Sequence, residues 1–349
     1  MGCGDSRKLR SAEKMLDRQL RLEREALMNW RVRLLLSLTM ASAMAAHAQV
    51  LHVTEMNTEE IRALDRGRTV VLLPGGIREE HGPYLPSFTD GYQNERLARD
   101  LAEAIASRPG WKALVFPIIP LGAGGANQLG GKYSFPGTFA VRASTLRDVF
   151  MDLGDELAAQ GFRRVFIVHL HGAPNHHIAL DEAGDYFHDL YGGDMVNLFG
   201  RVGSRQLREQ TEKLMTEEER RDEGWSVHAD MNETSRLLFL RPDLVRPAHK
   251  DAINQTARDR SHLIEIARAE GWAGYFGSPR RATASFGAAS WRQFSAHVVE
   301  MALRILDGAD PASFPRASEP LRNEAVVTAA FQHEEEMRRR HDEWLRRRR

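Results

Sequence analysis

From residue 50 onward the hydrophobic positions fall into short unbroken apolar runs separated by longer stretches with helical spacing. The runs at 68–73, 112–119, 163–170 and 194–199 read as strands, the third centred on Val165, Phe166, Ile167 and Val168. Between them, 91–107, 144–160 and 179–190 place apolar residues on one helical face. Strands alternating with helices of this kind require a sheet covered on both sides. The pattern therefore predicts an α/β fold, a three-layer α/β/α sandwich with a mostly parallel central sheet. Farther along, 203–223 is rich in Glu, Arg and Gln and reads as a solvated helix or excursion. The apolar run 236–240 and the segments 251–269 and 291–306 read as helices, the last two separated by a loop bearing Gly and Pro. No internal repeat interrupts the alternation. After Pro311 the chain becomes charged and ends in arginine clusters, which predicts a solvated helical tail over 311–349.

The amino terminus follows a different pattern. Arg31 and Arg33 precede an apolar run over 34–46, and Ala46-His47-Ala48 then stands before Gln49. A basic region, a short apolar core and an Ala-x-Ala site make a secretory signal over 28–48, too short to span a bilayer comfortably. Met28 is a natural start for such a signal, so residues 1–27 read as an over-extended translation start. On this reading the mature protein begins near Gln49 and is periplasmic or secreted, with no stable membrane insertion after cleavage. The alternative is a buried apolar helix in a cytoplasmic protein.

Composition narrows the chemistry. Lys plus Arg and Asp plus Glu number 48 each, so no net charge draws the chain to nucleic acid or anionic lipid. The sole cysteine, Cys3, excludes an internal disulfide and any thiolate cluster, leaving His, Asp and Glu as metal ligands.

Those residue types gather where the strands are expected to end, the edge at which open α/β sheets collect function. Glu79 and His81 follow the first apolar run two residues apart, a spacing that lets extended backbone aim both at one point. A loop with Gly82, Pro83 and Pro86 returns the chain to Asp90. Carboxylate, imidazole and carboxylate suit zinc, manganese or iron, and a metal pair when one carboxylate bridges. The strand at 163–170 leads into His169, His171 and Gly172, and His171 is a fourth candidate ligand. The third cluster is His228, Glu233, Thr234 and Ser235, before an apolar helix; Glu233 reads either as a ligand or as a carboxylate capping that helix. His176 and His177 either orient a ligand or lie on the surface, and Trp225 either covers the pocket or packs. The glycine-rich stretch 122–131 lacks a P-loop Lys-Ser and suits a mobile pocket loop better than a phosphate cradle.

In order and spacing, these segments resemble the creatininase family of metal-dependent amidohydrolases over roughly 55–305. Glu79, His81, Gly82, Leu85, Pro86 and Asp90 match the family's first motif. His169 to Asn175 and His228 to Ser235 correspond to its second and third, and Phe135-Pro136-Gly137-Thr138 is also family-like. Departures fall at His169 in place of Asn, Ala173 in place of a glutamate, Pro174 as an insertion and Met231 in place of a glutamate. The resemblance implies a creatininase-like fold, a homo-oligomer (a hexamer in the family) and two divalent metal ions, zinc foremost, with manganese or iron as alternatives. It implies that Glu79, Asp90 and His171 hold one ion and that His81, the shared Asp90 and Glu233 hold the other. Glu233 then serves both metal binding and catalysis, and His228 is the candidate acid for the departing nitrogen. The implied reaction hydrolyses a C–N bond in a small-molecule amide. The alternatives are a peptidase or deformylase of the same fold, or a metal-binding or assembly protein without turnover.

Overall fold

Two central strands, β2 (Thr69–Pro74) and β4 (Arg164–Val168), are buried on both faces because each alternates its side chains between two separate cores. Val70, Leu72, Phe166 and Val168 point into one core, while Val71, Leu73, Val165 and Ile167 point into the other. In this computed structural model, which describes residues 49–202 and 204–348, the sheet holds five parallel strands in the order β1-β3-β2-β4-β5. β1 (Val50–His52) is an edge strand too short and mixed to be read from sequence. β3 (Lys112–Val115) is shorter than its apolar run, and β5 (Asp194–Asn197) closes the other edge.

The helices fill both faces in the expected alternation. After the short α1 (Thr58–Arg62), α2 (Thr89–Ala106) packs its Leu97, Leu101 and Ile105 into the first core. α3 (Ala143–Ala159) and α4 (Pro174–Tyr191) cover the second through Leu146, Phe150, Leu180 and Phe187. α4 starts five residues earlier than its apolar pattern suggests. Pro174 supplies the first-turn residue that needs no N–H partner, so the helix begins directly after the second motif.

Several expectations are corrected by local capping. Of the stretch read as one helix or excursion, residues 204–223 form two helices, α5 (Ser204–Glu212) and α6 (Glu217–Glu223), because Thr216 and Glu219 make a capping box that starts the second. The third-motif helix α7 (Met231–Leu240) begins before its apolar run, started by Asp230, whose carboxylate accepts from Glu233 N–H. The helix expected over 251–269 is only α8 (Arg260–Arg268), capped by Asp259, since the preceding backbone pairs Gln255 with Gly277 instead. Thr283 caps α9 (Ala284–Leu306), which begins seven residues before its apolar half and packs into the first core through Trp291, Phe294 and Val298.

The charged tail is the helix α10 (Ala325–Arg346), and it is not solvated all round. Val327, Ala330 and Glu334 form a buried stripe at helical spacing, while Arg338 and its partners Glu335 and Asp342 face water. Residues 50–349 make one compact unit. The extension at 1–27 and the signal at 28–48 lie outside the described residues, and among the described residues no helix is long and apolar enough to cross a membrane.

Phe166, 1% exposed on β4, lies in the first core with residues of α2 and α9. Phe166→Ala is expected to cost ~3–5 kcal/mol. Urea unfolding reads the loss; one below ~1 kcal/mol would remove Phe166 from the centre of the core.

Candidate metal centre at the carboxyl edge of the sheet

The candidate ligands come together where β2 and β4 end. Beyond Pro74 the chain runs through Glu79 and His81, and Glu79 N–H donates to Ser87 O at 2.8 Å, folding the proline loop back on itself. That closure delivers Asp90 in the first turn of α2, where the helix N-terminus favours a carboxylate. His171 extends from the end of β4, and Glu233 comes from the first turn of α7.

The distances define two groups of three that share Asp90. His171 Nδ1 stands 3.0 Å from Glu79 Oε2 and 3.1 Å from Asp90 Oδ2. His81 Nε2 stands 3.4 Å from Asp90 Oδ1 and 3.6 Å from Glu233 Oε2. Within each group the ligand atoms lie within 4.8 Å of one another, and a third possible group joins Glu79 and His81 to His228. Ligand atoms about 2.1 Å from one cation stand roughly 3.0 Å apart at right angles and roughly 3.4 Å apart at the tetrahedral angle. The observed separations match both values. His81 Nε2 is moreover buried without a hydrogen-bond partner, so a cation gives this atom the partner the protein does not. The donor set and its spacing fit a pair of divalent cations.

Each imidazole is oriented by a main-chain oxygen, which can only accept. His171 Nε2 lies 2.6 Å from Gly124 O, His228 Nε2 lies 2.5 Å from Glu80 O, and His81 Nδ1 lies 3.1 Å from Glu79 O. In the neutral ring those nitrogens carry the proton, so Nδ1 of His171 and Nε2 of His81 aim lone pairs at the space shared with the carboxylates, an arrangement of acceptors that a cation would join. His228 directs Nδ1 toward Glu79 Oε1 at 3.8 Å, and its ring lies 4.3 Å from that of His81.

The electrostatics follow from burial opposed by neighbouring charge. Burial alone would lower the His81 pKa, but the Asp90, Glu233 and Glu79 carboxylates carry it up to about 10. His171 is likewise depressed by burial and raised well above its ordinary value by Glu79 and Asp90. Burial raises Asp90, yet His171 and His81 hold it below the usual carboxylate range. Glu79 is also held low, its burial outweighed by His228 and His171. Glu233 keeps 21% of its side chain exposed, and burial with little compensation pushes it up to about 8. His228 is pushed down to about 4 by burial, against the pull of Glu79, and is neutral near pH 7.

The sequence reading missed the supports. Glu80 is buried, hydrogen-bonded to Thr138 of the Phe-Pro-Gly-Thr segment, and raised to about 8 by burial and by Glu79. Two adjacent glutamates before a histidine were the available signal. The glycine-rich stretch is pinned by the site: Ala126 N–H donates to Glu79 Oε1, and Ala123 N–H donates to His176 Nδ1. Gly124 adopts φ +74°, and a Cβ there would meet Asn175 Oδ1 at 2.3 Å, so only glycine lets its carbonyl reach His171. His176 and His177 are buried, which removes the surface alternative; the His176 ring stands edge-on to His171 at 5.0 Å. Ala229 is the single non-glycine with positive φ among the described residues, at 48°, and its N–H donates to Glu233 Oε2 at 2.6 Å. The strained turn thus sets His228 and Glu233 side by side. Trp225 packs against the small core around Trp272 and Phe276, and the Arg208 guanidinium lies 4.3 Å over its ring.

The ligands open into a cavity of about 470 Å³ whose walls include Trp225, His228 and Arg208. A lining of that size accommodates a ligand larger than a single small ring.

Comparisons with known proteins bear on the family. The family model described as "Creatininase: Creatinine amidohydrolase" matches residues 54–302. The mycofactocin precursor peptide peptidase of Mycobacterium ulcerans is 31% identical over 263 residues, covering 69% of this chain and 87% of that protein. The creatinine amidohydrolase of Pseudomonas putida is 31% identical over 120 residues, 34% of this chain and 44% of that one. Among solved structures, a creatininase point mutant aligns with TM-score 0.56 at 22% identity, covering 74% of this chain and 99% of its own. A manganese form of creatininase aligns with TM-score 0.53 at 22% identity, covering 72% and 97%. With the matching fold and the family model spanning residues 54–302, this chain belongs to the creatininase family of hydrolases.

Proposed function

We propose that the protein hydrolyses an amide C–N bond, with Glu79, Asp90 and His171 as the residues that would hold one divalent cation and His81, Asp90 and Glu233 as those that would hold a second. The observation that carries this reading is the position of Asp90, whose two oxygens serve two separate groups of ligands. When bound, two cations supply a water of lowered pKa and polarise the scissile carbonyl. The residues around them do the rest. Asp90 and the two main-chain-anchored imidazoles hold the ligand atoms rigidly, and Glu233, the most exposed ligand, borders the cavity where substrate enters. His228 Nδ1 has a free lone pair in the neutral ring, so it accepts a proton from the attacking water and returns it to the departing nitrogen. Ala229 and Glu80 fix it for that transfer.

Within amide hydrolysis, a peptide-type substrate is favoured over a compact cyclic amide. The cavity of about 470 Å³ exceeds what a small lactam fills, and relatives matched along most of their length carry the name peptide peptidase. Export, homo-oligomer assembly and the preference for zinc are parts of the same proposal, supported by the amino-terminal pattern, the family resemblance and the His and carboxylate ligand set.

Elemental analysis of the purified protein should return about two divalent ions per chain. Asp90→Asn removes a ligand from both groups and is expected to bring that value below about one, with kcat/KM on peptide amides falling at least about a thousandfold. Two ions retained in Asp90→Asn would refute the bridging role.

Metal uptake is also expected to release protons. In the metal-free protein His81, raised to about 10, and His171, raised well above 6.5, are both protonated at pH 7, and Glu233 at about 8 is largely protonated too. Ligation requires the neutral imidazoles and the carboxylate, so two to about three protons leave per chain at pH 7, and metal affinity rises with pH. Without metal, the raised His81 pKa contributes stability that is full below 6.5 and lost as pH rises toward about 10. Calorimetric titration with Zn²⁺ in two buffers of different ionisation heat counts the protons; none released at pH 7 would contradict the paired site.

A further inference from the structure

The helix α10 lies beyond residue 302, where the match to the family model ends, yet it lines the same cavity as the candidate ligands. Val326, Val327 and Ala330 stand on the cavity wall together with Glu79, Asp90 and His171. Val327 and Ala330 are each 4% exposed, so their faces belong to the interior.

Three attachments hold this wall against the parts that hold the site. Arg260, itself on the cavity, donates from Nε to both carboxylate oxygens of Glu324 at 2.9 Å, fixing the start of the helix. The His333 ring stacks on Tyr133 at 4.2 Å and 11°, joining the middle of the helix to the segment that follows the glycine-rich loop. Glu334 is buried and accepts from Ala143 N–H at 2.8 Å and from Asn175 Nδ2 at 2.9 Å. Asn175 sits in the first turn of α4, four residues after His171, and its side chain abuts Gly124. Through Asn175 the last of these reaches the first turn of α4 and abuts Gly124, whose carbonyl orients His171.

We propose that α10 is the specificity-determining wall of the catalytic cavity, and that Val327 and Ala330 select amides bearing an aliphatic chain of several carbons. The proposal rests on the hydrolase reading and adds the substrate's apolar group to it. Buried methylenes gain affinity by leaving water, and the aliphatic face of α10 offers them an apolar surface beside the ligands. Arg338 on the outer face is paired with Glu335 and Asp342 on the same helix.

Aliphatic hydroxamates test this without turnover, because the hydroxamate group binds metal and the chain probes the wall. With the zinc-loaded full chain, octanohydroxamate is expected to bind at least about tenfold more tightly than acetohydroxamate. Ala330→Trp, which fills the cavity from α10, should abolish that ratio while acetohydroxamate affinity stays within about twofold. Val327→Ala, a change that leaves more room and guards against misfolding of the first variant, should shift the optimum to longer chains. Glu334→Gln keeps acceptance from Ala143 N–H and should retain the ratio, whereas Glu334→Ala should lower it. Equal affinity of the two hydroxamates in the parent protein, no binding of either, or an unchanged ratio in Ala330→Trp overturns the proposal. Metal analysis of the same samples separates the two failures: loaded protein without chain-length preference defeats only the wall, while protein that takes up no metal defeats the hydrolase reading and the wall with it.

Discussion

The structure depends on keeping two carboxylates and two imidazoles charged or ligating while they are almost wholly buried. Glu79 and Asp90 are each about 2% exposed, and an isolated carboxylate so buried would cost more than a domain of this size can spare. Asp90 avoids that cost by facing His81 through one oxygen and His171 through the other. Glu79 avoids it by facing His171 and accepting from Ala126 N–H. The cluster is stable only when positive charge sits among the carboxylates, either as protons on the imidazoles or as cations. Proton binding and metal binding are therefore alternatives at the same atoms, which is why the metal-free pKa values of His81 and His171 are driven upward.

That requirement explains the backbone around the cluster. An imidazole that must give its lone pair inward needs its other nitrogen satisfied from outside, and main-chain carbonyls do this for all three histidines. The carbonyls in turn come from segments with little freedom. Gly124 has a left-handed φ and no room for a side chain, and Glu80 is held through its own carboxyl by Thr138. Strain at Ala229 falls between His228 and Glu233, and its N–H donates to the Glu233 carboxylate, so the turn sets the two side by side. The parallel sheet supplies the frame, because β2 and β4 are adjacent and end on the same edge, bringing segments ninety residues apart into one site.

Much of this was legible in the chain. Glu79, His81 and Asp90 carry their geometry locally, through an extended dipeptide spacing and a proline loop, so the motif could be read before any fold was known. The alternation of apolar runs likewise revealed the sheet, since β2 and β4 are apolar at every position that faces either core. What escaped was set by capping or by tertiary contact. Helix starts at Pro174, Met231, Arg260 and Ala284 depend on Pro or on Asp and Thr caps that outrank apolar periodicity. The burial of His176, the carbonyl of Gly124 and the role of Glu80 depend on neighbours far away in sequence, and no local pattern encodes them. The short strand β1 gains its identity only by pairing with β3.

The tail helix shows how composition misleads. Its Glu and Arg content predicts a solvated surface, yet Val327, Ala330 and Glu334 recur at the spacing of a buried stripe. Glu334 makes the case by its chemistry. Burial raises its pKa, its hydrogen-bond donors are the neutral Ala143 N–H and Asn175 amide, and a hydrophobic residue of similar volume would avoid that cost. A buried carboxyl of this kind adds less to stability than to position, because it accepts only where two particular donors converge. One donor starts α3 and the other stands in the first turn of α4, so Glu334 fixes the helix in register with the strand end that carries His171. The candidate ligands come from strand ends and tight loops within the family span, and the cavity beside them is completed by a helix from outside that span.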